Sequence, residues 1–269
     1  MVFYQLSVFT YFRINDGMRR LKFLFIGFNL IASFTLIAQA DNEIQVYASP
    51  TIGAKRTIAE LHNNYTFKGS ENLIDPKSAR WLNHTLEITH GIAKNVEIGF
   101  YTFVTLSPEG KYQYLGNQIR PRFTAPERWK LPFGASLSAE FGRFRDSVSI
   151  PFYWQGEIRP IIDKTFGNIY AAFNPNIDFV VSGPGKQWGF SPQFKTYYNI
   201  KQKAGIGLEY YSSFGSFDDF LPIKEQEHLL GPMFDLLAYP DWELQTGFLF
   251  GLTPDSNQSI FKLLVGRRF

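Results

Sequence analysis

The sequence predicts an all-β chain, a transmembrane antiparallel up-and-down β-barrel of about twelve strands. Three observations lead there. Apolar and polar residues alternate with period two through one segment after another, each about ten residues long, the length a tilted strand needs to cross a hydrocarbon core. No apolar run after Ala40 approaches the length of about 18 residues that reads as a membrane helix. Aromatic residues make up 17% of the chain and charged residues only 19%, where a soluble domain carries roughly 25% charge. A mean hydropathy of −0.15 alongside so many aromatics suits a wall with one apolar and one polar face.

The first element is a leader. From Met18 the chain reads MRRLKFLFIGFNLIASFTLIAQA and then DNEIQVY. Arg19, Arg20 and Lys22 form a basic start, Phe23 to Ile37 an apolar core, and Ala38-Gln39-Ala40 a small-residue cleavage signal, the layout of a secretory signal peptide. A membrane anchor is the alternative, but the apolar segment is short and interrupted by Asn29. Residues 1–17 read as an upstream extension, 18–40 as the signal peptide, 41–56 as a short periplasmic segment and 57–269 as the barrel. No cysteine occurs anywhere, which excludes a lipid-anchored start at Asp41, disulfides, thiolate metal sites and cysteine nucleophiles. The leader carries Arg13, Arg19, Arg20 and Lys22 against Asp16; without them, 27 basic and 24 acidic residues become 23 of each. The exported chain has no basic field to attract nucleic acid.

In chain order the alternation predicts strands over 57–67, 82–92, 95–106, 112–123, 131–143, 149–161, 167–181, 188–199, 203–212, 226–238, 241–251 and 258–269. Residues 131–141 are the clearest: Leu131, Phe133, Ala135, Leu137, Ala139 and Phe141 alternate with small or polar partners. Links after even-numbered strands are mostly tight, as at Ala93-Lys94 and Tyr239-Pro240, whereas 68–81 and 213–225 are long. Short periplasmic turns and long extracellular loops produce that rhythm, and an even strand number puts both termini on the periplasmic side. Pro121, Pro132, Pro151, Pro160, Pro175, Pro192 and Pro232 oppose the pattern, because proline cannot donate to a ladder. Bulges or nearer strand ends are expected at them. In the segment before the barrel, Ile44, Val46 and Tyr47 are expected to add a strand or to tuck into the mouth.

The final strand alternates Phe261, Leu263, Val265, Arg267 and Phe269 on one face, with Gly266 between, and ends the chain on an aromatic residue. This resembles the C-terminal assembly signal of bacterial outer-membrane barrels, carried here by Phe261, Leu263, Val265, Gly266 and Phe269. Arg267 departs from a purely apolar face, which a snorkelling stem at the interface accommodates. With the leader and the strand rhythm, residues 43–269 resemble uncharacterised outer-membrane barrels of the putative-transporter type. That resemblance implies an outer-membrane location, and assembly machinery and periplasmic chaperones as partners during biogenesis. It also implies outer-membrane lipid around the wall, with a small solute as a possible cargo.

On a barrel wall the alternation directs Glu60, His62, Glu87, Glu97, Arg120, Arg122, Glu140, Glu157, Arg159, Asp178, Lys195, Glu209, Asp235, Glu243 and Lys262 into the lumen. An arginine or lysine facing lipid costs about 2–4 kcal/mol at the bilayer midplane. The similar segments Ile119-Arg120-Pro121-Arg122 and Glu157-Ile158-Arg159-Pro160 set three arginines at similar depth. Two roles compete for them: pairs with carboxylates that stiffen the wall, or a constriction that selects solutes. The candidates are Arg120, Arg122, Arg159, Glu87, Glu97, Glu140, Glu157, Asp178, Lys195 and Glu209. The leading function is a passive channel; a closed structural or binding barrel is the alternative.

Tyr101, Phe103, Tyr112, Tyr114, Tyr153, Tyr170, Tyr197 and Tyr211 are expected inward, to stack on a solute or to fill space. Phe133, Phe152, Trp154, Phe173, Phe179, Phe194, Trp242, Phe248 and Phe250 are expected on the lipid side. An acyl hydrolase, the third function, needs a serine, a histidine base and an orienting polar group; His84 with Ser147 or Ser191 are the candidates. No cofactor or metal motif is present: His84 and His90 stand roughly 20 Å apart on a strand, and Gly183-Pro184-Gly185-Lys186 lacks phosphate-loop spacing. The acidic tip Ser216–Phe220 reads as a solvated loop, with lipid-bridging divalent ions as the alternative.

Overall fold

The computed structural model describes residues 42–71, 79–146, 148–182 and 188–269. The extension, the leader and its cleavage site lie outside them, as do the tip of the 68–81 loop, Ser147 and the 183–186 motif. Twelve long strands form the wall: β1 (Thr57–Lys68), β2 (Leu82–Ala93), β3 (Val96–Leu106), β4 (Tyr112–Thr124), β5 (Gly134–Phe144) and β6 (Tyr153–Phe166), then β7 (Ile169–Ser182), β8 (Trp188–Ile200), β9 (Ala204–Ser213), β10 (Glu227–Leu236), β11 (Trp242–Gly251) and β12 (Ser259–Arg268). Each pairs antiparallel with its neighbours in sequence, and β12 returns to β1, from Ile58 against Arg268 to Thr66 against Ile260. The sheet is thereby closed and offers no edge. A short hairpin, Gly215–Ser216 with Asp219–Phe220, extends it beside β8 at Gly189.

The wall is turned inside out relative to a soluble core. Leu61, Leu86, Ile88, Phe100, Ile119, Leu137, Phe141, Phe173, Phe194 and Phe248 are exposed on the outside, while Arg120, Arg159 and Lys262 are at most 2% exposed on the inside. Only a lipid environment makes that distribution favourable. Tryptophans mark the two borders. Trp81, Trp154 and Trp188 stand at strand starts on the loop-bearing rim, and Trp129 and Trp242 at the rim that carries the chain ends. Aromatic girdles at both interfaces are the signature of a spanning barrel.

Several expected boundaries move, two of them at prolines. β5 begins at Gly134 and β6 at Tyr153, so Pro132 and Pro151 fall before their strands. Residues 125–133 form the link, somewhat longer than the 124–130 expected, with a 3₁₀ turn at Glu127–Trp129. The internal prolines do not produce bulges. Instead the ladder opens on one side only: β4–β5 passes from Ile119↔Phe141 to Arg122↔Ser138, β6–β7 from Ile158↔Ile177 to Ile162↔Phe173, and β10–β11 from Leu230↔Phe250 to Met233↔Gly247. Register is kept across each gap, and the opposite edge stays paired, as Pro121 with Ile98 and Pro232 with Leu208. A missing N–H affects one ladder, not both, so a closed wall tolerates proline where its other edge holds.

A true bulge sits in β4, where Phe103 pairs with Gly116 and Val104 with Tyr114, leaving Leu115 over. Gly116 has φ of +149° there, and a Cβ would fall 2.2 Å from the Arg143 carbonyl oxygen, so only glycine fits. One inserted residue reverses the alternation beyond it. Leu115 therefore points inward, and Tyr112 and Tyr114, expected inward, stand on the outside at 70% and 45% exposure.

Candidate functional site

All fifteen ionisable residues assigned to the lumen lie on its side of the wall, buried or half-buried. Most of them gather in two groups, while Glu243 pairs with Arg268 and His62 stands 3.6 Å from Glu87. The larger group spans β2 to β7. Arg120 donates to Glu87, to Tyr101 Oη, to Glu97 Oε1 at 3.2 Å and to Thr89 Oγ1 at 3.0 Å. Arg122 pairs with Glu97 Oε1 at 2.6 Å. Arg159 pairs with Glu157 Oε1 at 2.5 Å and approaches Glu140 at 3.7 Å. Glu97, Arg122, Ser138 and Arg159 stand in one cross-strand row. Glu140, Glu157 and Asp178 form a row of carboxylates. Like charges directly opposite repel; Arg159, Asn176 donating to Glu157 at 3.1 Å, and Ser191 donating to Asp178 offset this. In the smaller group Glu209 binds Lys262 at 2.8 Å and Lys195 at 3.4 Å, and Lys195 reaches Asp235 at 3.0 Å.

The lumen is not empty. Residues 42–53 thread through it without joining the wall, so they do not form the extra strand that was one of the two expectations. The path runs lengthwise. The Asn42 carbonyl accepts from Asn64 and Thr85 in the loop-side half, and Thr51 Oγ1 donates to the Lys94 carbonyl at the opposite rim. Beyond it, Lys55 N–H bonds Gly91 O at 2.7 Å and the chain enters β1. A twelve-stranded barrel lies between the eight-stranded size that side chains fill and the sixteen-stranded size that leaves an aqueous channel. Its interior has room for one extended segment.

Tyr47 fastens that segment. Its ring lies between Arg120 and Arg159, whose guanidinium carbons stand 4.7 and 4.6 Å from its centroid, with Arg122 at 5.6 Å. Cations over an aromatic face are attracted to its quadrupole. The hydroxyl donates toward Glu43 and Glu87 and meets Tyr101 Oη at 2.9 Å. Its peptide group is held on both sides by the Asn174 amide, N–H to Oδ1 at 2.7 Å and Nδ2 to O at 3.1 Å. Further along, Asp163 accepts from Ser49 N and Oγ, Arg122 donates to the Ala48 and Pro50 carbonyls, and Ile52 N–H bonds Glu97. On the other side Ile44 and Val46 are buried against Ala172, Tyr211, Leu229, Met233, Leu249 and Ile260. The same wall arginines that pair with wall carboxylates thus also hold the segment.

Tyr47, Asn174 and Asp163 were missed as site residues. Asp163 lies beyond the predicted end of its strand, and Asn174 shares a face with Asp178 that alternation does mark. Of the aromatics expected inward, Tyr101, Phe103 and Tyr211 are buried and Tyr153, Tyr170 and Tyr197 half-buried. His84 and Ser191 do not meet: His84 stands on the outer face, bonded to Asn63 Oδ1 at 2.8 Å, whereas the Ser191 hydroxyl donates to Asp178 in the lumen; Ser147 lies outside the described residues. Among the described residues no cluster of His, Asp and Glu could hold a metal ion.

The COG4313 outer membrane channel from Pseudomonas putida F1 is similar to this chain at 10% identity. The match covers 84% of this chain and 100% of that one, with a TM-score of 0.59. The chain has the fold of an outer-membrane β-barrel. Two Acinetobacter baumannii proteins align less well: the outer membrane channel DcaP (11% identity; 84% and 100% of the two chains; TM-score 0.40) and Omp33 (12%; 80% and 98%; 0.43). No protein-family model and no curated protein matches the chain. Within this barrel fold, the feature that bears on function is the segment filling the lumen.

Proposed function

We propose that the chain is an outer-membrane channel for small solutes whose lumen is closed, at rest, by its own N-terminal segment. The observation that carries this reading is the threaded segment with Tyr47 between Arg120 and Arg159. Among the described residues it continues into the wall through Arg56 and β1. Its contacts are hydrogen bonds, ion–ring contacts and one apolar patch, each replaceable by water or solute on release. The lumen it would leave is lined by the charged candidates, in particular Arg120, Arg122 and Arg159 facing Glu87, Glu97, Glu140 and Glu157. That lining suits passage of small polar solutes. The structurally similar channel supports the reading at the level of fold. Short turns put the rim with the chain ends on the periplasmic side, so the segment enters from the periplasm.

Planar-bilayer recording tests this. The chain from Asp41 is expected to give rare, brief openings, and a chain starting at residue 54 a steady conductance. A closed structural barrel is the second reading, favoured by Ile44 and Val46 in their apolar cluster. Silence from both chains, each shown to be inserted, would establish that second reading and exclude the first.

A further inference from the structure

The outer face carries a feature that neither conduction nor wall stability uses. Arg143, the next-to-last residue of β5, points outward and has no hydrogen-bond or ion-pair partner among the described residues. An arginine directed at lipid is costly at the midplane and nearly free of cost near an interface. Its position fits the interface: the neighbouring outward residue Trp154 and nearby Tyr114 belong to the loop-side aromatic border. Arg145 stands close by, giving its Nε and one terminal nitrogen to the Tyr114 carbonyl at 3.0 and 2.7 Å. Both guanidinium groups pack on the Phe152 ring, at 4.8 and 4.4 Å from its centroid. One ring thereby contacts both cations, and the nearest carboxylate in sequence, Asp146, accepts from Tyr153.

Along the wall from these cations runs a shallow groove of about 340 Å³, lined by Phe100, Ile119, Phe141 and Trp154. The Phe141 and Trp154 rings stack at 5.2 Å and form one flank. A cationic head position above an apolar channel, both facing lipid, is complementary to an amphiphile with an anionic head and a hydrocarbon tail. The unengaged guanidinium fork of Arg143, with the remaining terminal donors of Arg145, favours a phosphate, whose oxygens accept paired donors.

We propose that this groove binds lipid A, the phosphorylated glycolipid of the outer leaflet, with a phosphate between Arg143 and Arg145 and an acyl chain along Phe141 and Trp154. The inference rests on the outer-membrane placement above and not on conduction. The choice of leaflet follows from the groove's place at the loop-bearing rim. The site would anchor the β4–β6 side of the barrel in the outer leaflet.

The test uses the full chain, expressed with its leader and extracted from outer membranes in mild detergent, with native mass spectrometry counting bound lipid. Added lipid A is expected to bind in preference to its dephosphorylated form and to phosphatidylglycerol. Arg143→Gln with Arg145→Gln is expected to weaken that binding roughly tenfold or more, the loss of charge-assisted hydrogen bonds to phosphate. Heat-modifiable electrophoretic mobility shows that the variant is folded. Equal binding of all three lipids, or equal binding by the variant, overturns the site while leaving the membrane placement intact. A chain absent from the outer-membrane fraction overturns the placement and the site together.

Discussion

Tyr47→Ala is expected to raise the open probability of the barrel by roughly a hundredfold or more, the largest functional effect of any single substitution. The ring is 5% exposed and stands between guanidinium groups, contacts worth about 0.5–2 kcal/mol each depending on desolvation. Truncating a buried aromatic to alanine costs about 3–5 kcal/mol in well-packed sites. Even about 3 kcal/mol of lost seating free energy shifts a two-state equilibrium by roughly two orders of magnitude. Tyr47→Phe separates the contributions: it keeps the ring between Arg120 and Arg159 and removes the hydroxyl that serves Glu43, Glu87 and Tyr101. Its expected effect is smaller, about tenfold, one buried hydrogen-bonding group. Single-channel recording over the series checks both values. If Tyr47→Ala stays as closed as the parent while inserted and folded, the segment is held by its apolar face and the Asn174 clamp, and the aromatic wedge is not the fastening.

The wall was legible because a spanning strand is long enough to repeat its alternation five or six times. Both the lumen set and the lipid face follow from that repetition, as the outward Phe141 and inward Glu140 illustrate. Legibility ended where one residue changes the phase. Nothing local distinguishes Leu115-Gly116 from any apolar residue and glycine, yet the bulge turns Tyr112 and Tyr114 outward. At Pro132 and Pro151 the nearer strand ends that proline suggests are found, but the internal prolines misled for a different reason: their missing donor faces one neighbouring strand, and sequence does not say which. The occupied lumen was only half visible. Ile44, Val46 and Tyr47 announce a segment that needs burial, but the partners that bury it are separated from it by up to some two hundred residues, as Ile260 is from Ile44. Charge pairs within the wall could be guessed from neighbouring strands; the shared hold of Arg120, Arg122 and Arg159 on a third element could not.

Arg120→Met is expected to lower the unfolding free energy of the inserted barrel by on the order of 3–5 kcal/mol, the cost of removing one member of a buried ionic network. The size follows from what remains. Glu87 and Glu97 are 0% exposed and both lose a guanidinium partner; Glu87 keeps His62 Nε2 at 3.6 Å and the Thr89 hydroxyl, and Glu97 keeps Arg122. Replacing Glu87 by Gln as well removes one uncompensated charge, so the double variant is expected to recover part of the loss. That recovery is the sign of a coupled pair rather than of lost packing. The comparison also divides the two roles of the lumen. Urea unfolding in lipid vesicles, followed by tryptophan fluorescence, is expected to show the destabilisation in both the chain from Asp41 and the chain from residue 54. The loss is expected to be somewhat larger in the first, which also loses the Arg120 contact with the Tyr47 ring. Coupling of Arg120 to the wall carboxylates does not require Tyr47. Conductance, by contrast, is expected to respond to Arg120→Met in both chains but for different reasons: in the longer one through weaker seating of the tyrosine ring, in the shorter one through altered ion selectivity of the open lumen. An unfolding midpoint unchanged by Arg120→Met would mean that water already satisfies those carboxylates, and the rigid charged ring would have to be abandoned.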